Sequence, residues 1–497
     1  MARPATASYR IAAHLFLRAL GGIYAIAFMS LAVQVAGLAG PNGILPADAL
    51  LGALRTQMGA ERYWQVPTIF WLTGTSDGLL QAAAWIGVAI GVAVLAGVAP
   101  RLGLVLCFAL YLSLASVCRT FLNFQWDALL LETGFLALPL TPRGLWRPLR
   151  DAQEPPRWTI LLVRFLLFRL MFSSGVVKLA SGDPTWWSLR ALDVHYFTQP
   201  IPTWTAWFAQ QLPATFQTAS VAIMFVIELG APFLLFLPRR FRLAGCALLL
   251  FLQVLIAATG NYAFFNLLTM ALCLVAIDDA AWPAWLRRRA EPLREPGDCA
   301  HLAPARSRPR RIAAVSIVVV AALLETAVMT SRWHAEMPRP IPALVRAAAW
   351  LQPLRVINAY GLFAVMTTTR EEIEIEGSDD GVNWLAYGFR YKPGDVDRRP
   401  VFVAPHQPRL DWQMWFAALS DFRRQPWLQS FMARLLQGSP EVLALLDSNP
   451  FPDHPPRYVR ALLYDYRFTD GATRASTGAW WTRTPAGEYA APMSLRP

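Results

Sequence analysis

The sequence predicts a polytopic α-helical membrane protein of about nine transmembrane helices that carries a C-terminal β-rich soluble domain. Of its 497 residues, 55% are hydrophobic and only 16% are charged, with a mean hydropathy of +0.35. Soluble proteins carry about 25% charged residues. Apolar runs of roughly bilayer length recur through the first 332 residues. From about residue 340 the composition becomes that of a soluble domain.

Nine apolar runs are predicted as transmembrane helices, of which the fourth and eighth are short for a full crossing. They cover approximately residues 13–36, 78–99, 102–119, 126–141, 159–180, 218–237, 241–259, 262–277 and 311–332. Arg18 interrupts the first run and further apolar segments follow it. We therefore expect this segment to be a membrane helix and not a cleaved signal peptide.

Basic residues are concentrated in alternate loops. With a cytoplasmic N-terminus, the cytoplasmic loops hold 18 arginines, whereas the opposite loops before the soluble domain hold five basic residues. This asymmetry is typical of membrane topology, in which cytoplasmic loops are enriched in Lys and Arg. Nine crossings then place the C-terminal part outside the cytoplasm. We divide the chain into a transmembrane domain, 1–335, and a non-cytoplasmic domain, 336–497.

The C-terminal domain is predicted as a small β-sandwich-like unit with helical insertions. Residues 371–376 alternate charged and apolar side chains, as a half-buried strand does, and a turn at 378–381 leads to a second strand at 384–391. Residues 411–436 are predicted to be helical, and a later strand pair is predicted at 461–468 and 480–484. The aromatic residues of the helical segment are expected in the core or on an apolar contact surface.

Composition and motifs exclude several classes of function. The net charge is +12, but residues 1–332 hold 27 basic and 16 acidic residues, so the excess belongs to membrane loops and nucleic acid is excluded as a partner. Motifs of the P-loop, GxSxG, HExxH and GxGxxG types are absent. The five cysteines have no metal-ligand spacing. No cofactor or metal site is predicted.

Polar side chains within the apolar runs need a partner or a function, because an ionisable group in hydrocarbon costs at least about 2.5 kcal/mol. Arg169 and Glu228 fall near mid-membrane, and we expect them to form an ion pair. A second set converges on the non-cytoplasmic side, where we predict an outward-facing polar cavity. Its members are Asn123, Asp127, Glu132, Lys178, Asp193, His195, Tyr196, Gln199, Asn261 and Asn266.

Lys178 is the candidate catalytic residue. The chain has only two lysines, Lys178 and Lys392, against 43 arginines. A membrane-embedded lysine can lose its proton and act as a base, whereas arginine cannot. The alternative is an interfacial lysine whose ammonium group reaches water beside Asp183.

Several segments resemble the lipase maturation factor family. The central one is residues 164–178 (RFLLFRLMFSSGVVK), followed by 193–202 (DVHYFTQPIP). The others are 123–132 (NFQWDALLLE), 260–269 (GNYAFFNLLT), 357–361 (INAYG), 392–395 (KPGD), 398–400 (RRP) and 409–418 (RLDWQMWFAA). Together they cover about residues 120–435.

This resemblance implies a polytopic membrane protein that helps exported, lipase-like clients reach their folded and active state. In eukaryotes the family is found in the endoplasmic reticulum, and its C-terminal domain is associated with client contact. The client-contact candidates here are Arg399, Asp411, Trp412 and Trp415. Preference for Arg over Lys and richness in Ala indicate a bacterial source, with the protein in the plasma membrane and the C-terminal domain periplasmic. The alternative is the endoplasmic reticulum membrane with that domain lumenal.

Helix five, which ends at Lys178, is also similar to the membrane domain of vitamin K-dependent γ-carboxylases, in which a lysine serves as the base. This supports a second hypothesis, a carboxylase-like membrane enzyme with an outward-facing polar cavity around Lys178. Membrane lipid is a partner under both hypotheses. The sequence leaves the client and the oligomeric state open.

Overall fold

The computed structural model describes residues 7–142, 144–146, 148–291, 316, 319–324, 326 and 342–495. Within these ranges, six helices are long and apolar enough to cross a membrane. They are α1 (Arg10–Ala32), α6 (Asp77–Ala96), α7 (Pro100–Val117), α9 (Arg157–Ala180), α13 (Ala214–Leu234) and α14 (Arg239–Thr259).

Shorter helices connect the long ones. The first group is α2 (Val35–Ala39), α3 (Ala47–Gln57), α4 (Arg62–Gln65), α5 (Phe70–Thr73), α8 (Gln125–Ala137), α10 (Pro184–Trp187), α11 (Leu192–Thr198), α12 (Trp204–Gln210), α15 (Phe265–Leu274) and α16 (Ala284–Arg289). The second group belongs to the C-terminal part: α17 (Pro342–Leu351), α18 (Arg409–Ala418), α19 (Pro426–Leu436), α20 (Pro440–Leu443) and α21 (Gly471–Thr477).

The prediction of nine long membrane helices is not supported. The fourth and eighth predicted runs are α8, of 13 residues, and α15, of 10 residues. Both are shorter than the roughly 20 residues that a full hydrocarbon crossing needs. Of the ninth predicted run, 311–332, only residues 316, 319–324 and 326 are described, so most of it lies outside the described residues. A polytopic helical membrane domain is confirmed, with six candidate spans among the described residues.

The two ends of the helical bundle have different contacts. At one end, here called the N-terminal face, the backbone amides of Arg10 and Ile11 donate hydrogen bonds to the Asp279 carboxylate. At the other end, here called the docking face, Ser30 and Gln34 contact the C-terminal domain. The short helices α8 and α15 each begin near the docking face and lead toward the N-terminal face.

Helices α1 and α6 pack closely through small residues. A Cβ atom added at Gly91 of α6 would lie 2.7 Å from the backbone nitrogen of Ala25, and one at Gly87 would lie 2.5 Å from the Phe28 ring. Glycine is therefore required at both positions for this helix spacing, as in small-residue contacts of other membrane helices.

The C-terminal domain contains one antiparallel sheet with strand order β2-β1-β3-β4. The strands are β1 (Glu371–Ser378), β2 (Leu385–Ala386), β3 (Tyr458–Phe468) and β4 (Trp481–Met493). Strands were thus correctly predicted in all four regions, but the one at 384–391 shrinks to two residues. The predicted sandwich is wrong for the described residues, because helices α18 and α19, and not a second sheet, pack against β1 and β3. The segment 411–436, which was predicted to be helical, forms these two helices, α18 and α19.

Candidate functional site

The C-terminal domain is docked directly on the membrane domain. Aromatic rings from both domains meet at the docking face: Trp412 of α18 lies 4.7 Å from Trp126 of α8 and 5.7 Å from Phe124, measured between ring centroids. A single cluster of buried apolar residues extends through both domains. Some of the polar residues predicted to line an open cavity, among them Asp127, Glu132 and Asn261, lie at this interface.

Asp127 is buried completely and binds Arg409 of the C-terminal domain. Its two carboxylate oxygens lie 2.9 and 3.0 Å from the two terminal guanidinium nitrogens, a bidentate pair, and the Tyr111 hydroxyl also donates to it. Asp127 occupies the first turn of α8, where the helix dipole favours an anion. Burial disfavours the charged guanidinium, but the Asp127 carboxylate and the Tyr111 hydroxyl together outweigh it and raise the pKa of Arg409 above its ordinary value.

Glu132, one turn further along α8, binds a second part of the C-terminal region. Its carboxylate pairs with Arg169 of α9 and accepts hydrogen bonds from the backbone and side-chain amides of Asn358, at 3.0 and 2.9 Å. The Tyr360 hydroxyl donates to the same carboxylate at 2.7 Å, and Arg169 donates to the Asn358 carbonyl at 2.8 Å. The segment that leads into the C-terminal domain is therefore inserted among the helices.

Lys178 pairs with Glu228. Its ammonium nitrogen lies 2.9 and 2.8 Å from the two Glu228 oxygens and 3.1 Å from the Ser174 carbonyl, which accounts for its three donors. The predicted ion pair between Arg169 and Glu228 is therefore wrong: each residue has a different partner. The position of a residue along a helix gives its depth in the membrane. It does not give how the whole helix is rotated about its axis relative to its neighbours, and this rotation decides which side chains meet.

Asn261 makes four hydrogen bonds from the loop between α14 and α15. Its carbonyl oxygen accepts from the backbone nitrogens of Val403 and Ala404 at 2.8 and 3.0 Å, and its amide donates to the carbonyls of Val401 and Ile201 at 2.8 and 3.2 Å. This side chain is only 1% exposed, and it supplies hydrogen-bond partners to the buried backbone of residues 401–404 of the C-terminal domain.

His195 and Gln199 lie in a buried group around Tyr262. The Tyr262 hydroxyl lies 3.1 Å from His195 Nε2 and donates to Gln199 at 3.0 Å. Arg370 of the C-terminal domain donates to the backbone carbonyls of Phe197, Gln199 and Pro200 beside this group. Burial, with a smaller effect of the Lys178 charge, lowers the pKa of His195 to about 4.

The remaining predicted cavity residues are not part of this interface. Asn266 donates to the Gln253 side chain inside the bundle, at 2.9 Å. Asp193 forms an exposed ion pair with Arg190, and Tyr196 is buried on α11. Asn123 is exposed beside the start of α8.

The expectation of an open cavity lined by all ten residues is wrong. Asp127, Glu132, Gln199 and Asn261 do lie at the docking face, but groups of the C-terminal region fill the space and satisfy them. Buried polar groups need hydrogen-bond partners, and the C-terminal domain supplies them.

Three of the four client-contact candidates are buried. Trp412 is 3% exposed and Trp415 9%, and the Trp415 indole donates to the Thr198 carbonyl at 2.8 Å. Asp411 accepts from the backbone of Tyr391 and Lys392 within the C-terminal domain. Only Arg399 is exposed. Trp412 and Trp415 of α18 thus belong to the core and the interface, whereas Phe416 of the same helix is 39% exposed.

Sequence reasoning missed the partners from the C-terminal domain: Asn358, Tyr360, Arg370 and Arg409. Three of them lie in the segments that carry the family resemblance, 357–361 and 409–418. An unpaired buried acid at Asp127 or Glu132 requires a cation, and these segments were the available source.

The geometry defines a class: a multi-pass membrane protein whose C-terminal domain is fixed to one face of the bundle by buried ion pairs and amide hydrogen bonds. The model of the lipase maturation factor transmembrane domain matches residues 11–284, and that of the lipase maturation factor C-terminal domain matches residues 356–492. The chain therefore belongs to the lipase maturation factor family, as the resemblance indicated.

Curated relatives match the chain over nearly its whole length. Lipase maturation factor 2 of Gallus gallus is 36% identical over 97% of this chain and 81% of its own length. The human lipase maturation factor 2 is 35% identical, covering 98% and 83%. Lipase maturation factor 1 of Mus musculus is 34% identical, covering 99% and 89%. No solved structure matches the chain.

Proposed function

We propose that this protein is a membrane-anchored maturation factor that helps exported, lipase-like client proteins reach their folded state. The observation that carries the proposal is the similarity over 96% or more of the chain to proteins named lipase maturation factors. Both family domains are matched, so the proposal rests on the whole chain and not on a shared module.

We further propose that this role is not catalytic. The enzyme hypothesis required Lys178 to lose its proton and to reach a substrate. In the structure the side chain is 7% exposed and its nitrogen lies 2.8 Å from a Glu228 carboxylate oxygen, so it faces a buried partner and not an open cavity. The Lys178 site resembles a structural ion pair between α9 and α13 more closely than a base in an open cavity.

We propose that the docking face lies on the export side of the membrane. The N-terminal face is basic: it includes Arg10, Arg239 and Arg242, the start of a series that continues at 287–289. By the positive-inside rule this face would be cytoplasmic. The C-terminal domain, with its boundary near residue 335, would then be periplasmic in a bacterial plasma membrane, or lumenal in the endoplasmic reticulum.

The client-contact proposal now rests on Arg399. Its guanidinium lies 4.8 Å from the Trp204 ring centre, and Trp204 also contacts Phe402, which is 45% exposed. Arginine and exposed aromatic residues are enriched among the residues that dominate binding energy at protein interfaces. This exposed patch lies where the C-terminal domain meets α12.

The test is deletion of the gene in the native host, followed by complementation with the wild-type chain and single variants. Exported lipase activity should fall on deletion while the transcript level is unchanged, and the wild-type chain should restore it. Arg399→Ala should restore less activity than Arg467→Ala, a control at another exposed arginine of the C-terminal domain. Unchanged lipase activity after deletion, together with no crosslinked exported protein on the full chain, would overturn the proposal.

A further inference from the structure

A large cavity lies on the docking face away from the client-contact patch. Its volume is about 620 Å³, and it is lined by the end of α7, the start of α8, the α17 helix and the residues that follow α17. This is within the range of small-molecule and cofactor sites. The docking interface does not fill it.

The cavity is cationic. Arg119 and Arg355 both line it, together with amide side chains such as Asn123 and Gln352, and its described lining contains no aspartate or glutamate. Arg119 is exposed and has no hydrogen-bond or ion-pair partner among the described residues. The cavity therefore offers an uncompensated guanidinium to an anion.

Arg355 holds the second positive charge in a fixed position. Its terminal nitrogens donate to the Leu122 carbonyl at 2.6 Å and to the Ala115 carbonyl at 3.4 Å. Burial lowers the pKa of Arg355; Asp127 opposes this, and the nearby Arg119 charge adds to the lowering. An anion between the two guanidinium groups would relieve this repulsion.

The position of the cavity indicates where such an anion comes from. The α17 helix contributes an apolar wall of Val345, Ala348 and Ala349. Beside it, the indoles of Trp64 and Trp350 stack at 4.4 Å, and Trp350 is 62% exposed. Exposed tryptophans are typical of the level of the lipid headgroups. A ligand at this level would have an anionic group and an adjoining apolar part.

We infer that this cavity binds the headgroup of an anionic phospholipid from the leaflet on the docking face, with the phosphodiester at Arg119. Arginine matches phosphate oxygens in charge and in the geometry of its donors. A zwitterionic headgroup fits less well, because no carboxylate in the described lining could accept its ammonium group. The site is separate from the lipase-directed role and does not depend on which client the protein serves.

Native mass spectrometry of the purified full-length protein tests this inference. The protein is titrated with phosphatidylglycerol, phosphatidylcholine or inorganic phosphate. Wild type should retain phosphatidylglycerol in preference to phosphatidylcholine. Arg119→Gln should weaken phosphatidylglycerol binding about tenfold, about 1.4 kcal/mol, whereas Arg119→Lys should keep most of it. The matched control is Arg346→Gln, which removes an exposed arginine of α17 that does not line the cavity.

Three results would overturn the inference. The first is equal retention of the two lipids by wild type. The second is equal binding of phosphatidylglycerol by Arg119→Gln and Arg346→Gln. The third is Arg119-dependent binding of inorganic phosphate without phosphatidylglycerol binding, which would indicate a small-anion site. Because Arg119 is exposed and unpaired among the described residues, its replacement leaves the packing unchanged and loss of fold does not obscure the comparison.

Discussion

The ion pair between Asp127 and Arg409 should be the strongest single connection between the two domains. Replacement of Arg409 by Met removes both charge-assisted hydrogen bonds and leaves the Asp127 carboxylate buried with only the Tyr111 hydroxyl as a side-chain partner. Removal of one partner of a fully buried pair costs about 3–5 kcal/mol, because the other charge stays desolvated. For a cooperative unit of the size of the C-terminal domain, this corresponds to a fall in apparent melting temperature on the order of 10 °C.

The assay is thermal unfolding of the purified full chain in detergent, combined with limited proteolysis at the domain junction. Arg409→Met should lower the unfolding midpoint and release the C-terminal domain at lower protease concentration than wild type. Arg467→Met is the matched control, because it breaks an exposed pair with Asp465. Exposed pairs contribute about 0–1 kcal/mol.

A double-mutant cycle separates the ion pair from the packing around it. Asp127→Leu and Arg409→Met together remove both charges, so the double variant should lose at least about 2 kcal/mol less than the sum of the single losses. The reasoning would be refuted if Arg409→Met unfolded at the same temperature as Arg467→Met. Strict additivity of the two single variants would refute it equally.

Three further predictions concern other contacts. Lys178→Arg should keep its ion pair and support client maturation, whereas Lys178→Met should lower the unfolding midpoint. Asn261→Ala should expose the 401–404 segment to protease and cost about 1–3 kcal/mol, because it leaves buried backbone groups unpaired. Burial lowers the pKa of both His195 and His406 to about 4 from 6.5. The unfolded state therefore binds more protons between these values, so the unfolding midpoint should fall as pH is lowered from 6.5 toward 4.

Each of these three predictions can be contradicted by a specific result. Loss of client maturation in Lys178→Arg, with normal expression, would favour the enzyme hypothesis. Protease cleavage of 401–404 at the wild-type rate in Asn261→Ala would contradict the assigned role of its four hydrogen bonds. His406→Gln should reduce the dependence of the midpoint on pH, whereas His454→Gln, at an exposed histidine, should not. An unchanged pH dependence in His406→Gln would show that this histidine is not a source of it.

Local patterns predicted the elements well where one signal dominates. The apolar runs predicted the six long helices, and the alternation at 371–376 predicted β1. The predictions were weaker where tertiary contacts set the length of an element. The strand at 384–391 is reduced to Leu385 and Ala386, because after Tyr387 the backbone at Gly388 pairs with Asp447 and Ser448 instead of β1.

The candidate site was predicted only in part. The depth of a polar residue in the membrane follows from its position along a helix, so Asp127, Glu132 and Asn261 were correctly expected on one side of the bundle. Their partners could not be derived in this way, because Asn358 and Arg409 are more than 225 residues distant from Glu132 and Asp127. Contacts between such distant segments depend on how two domains fit together.

The sequence by itself determined that the chain is a membrane-embedded bundle with a basic face and a separately composed C-terminal domain, because hydrophobicity and loop charge act locally along the chain. Only the tertiary structure decided that buried acids and amides of the docking face, such as Asp127, Glu132 and Asn261, hold that domain in place instead of lining an open cavity. The physical reason is desolvation: a buried charge or amide must be paired, and the identity of its partner depends on the orientation of whole helices and domains.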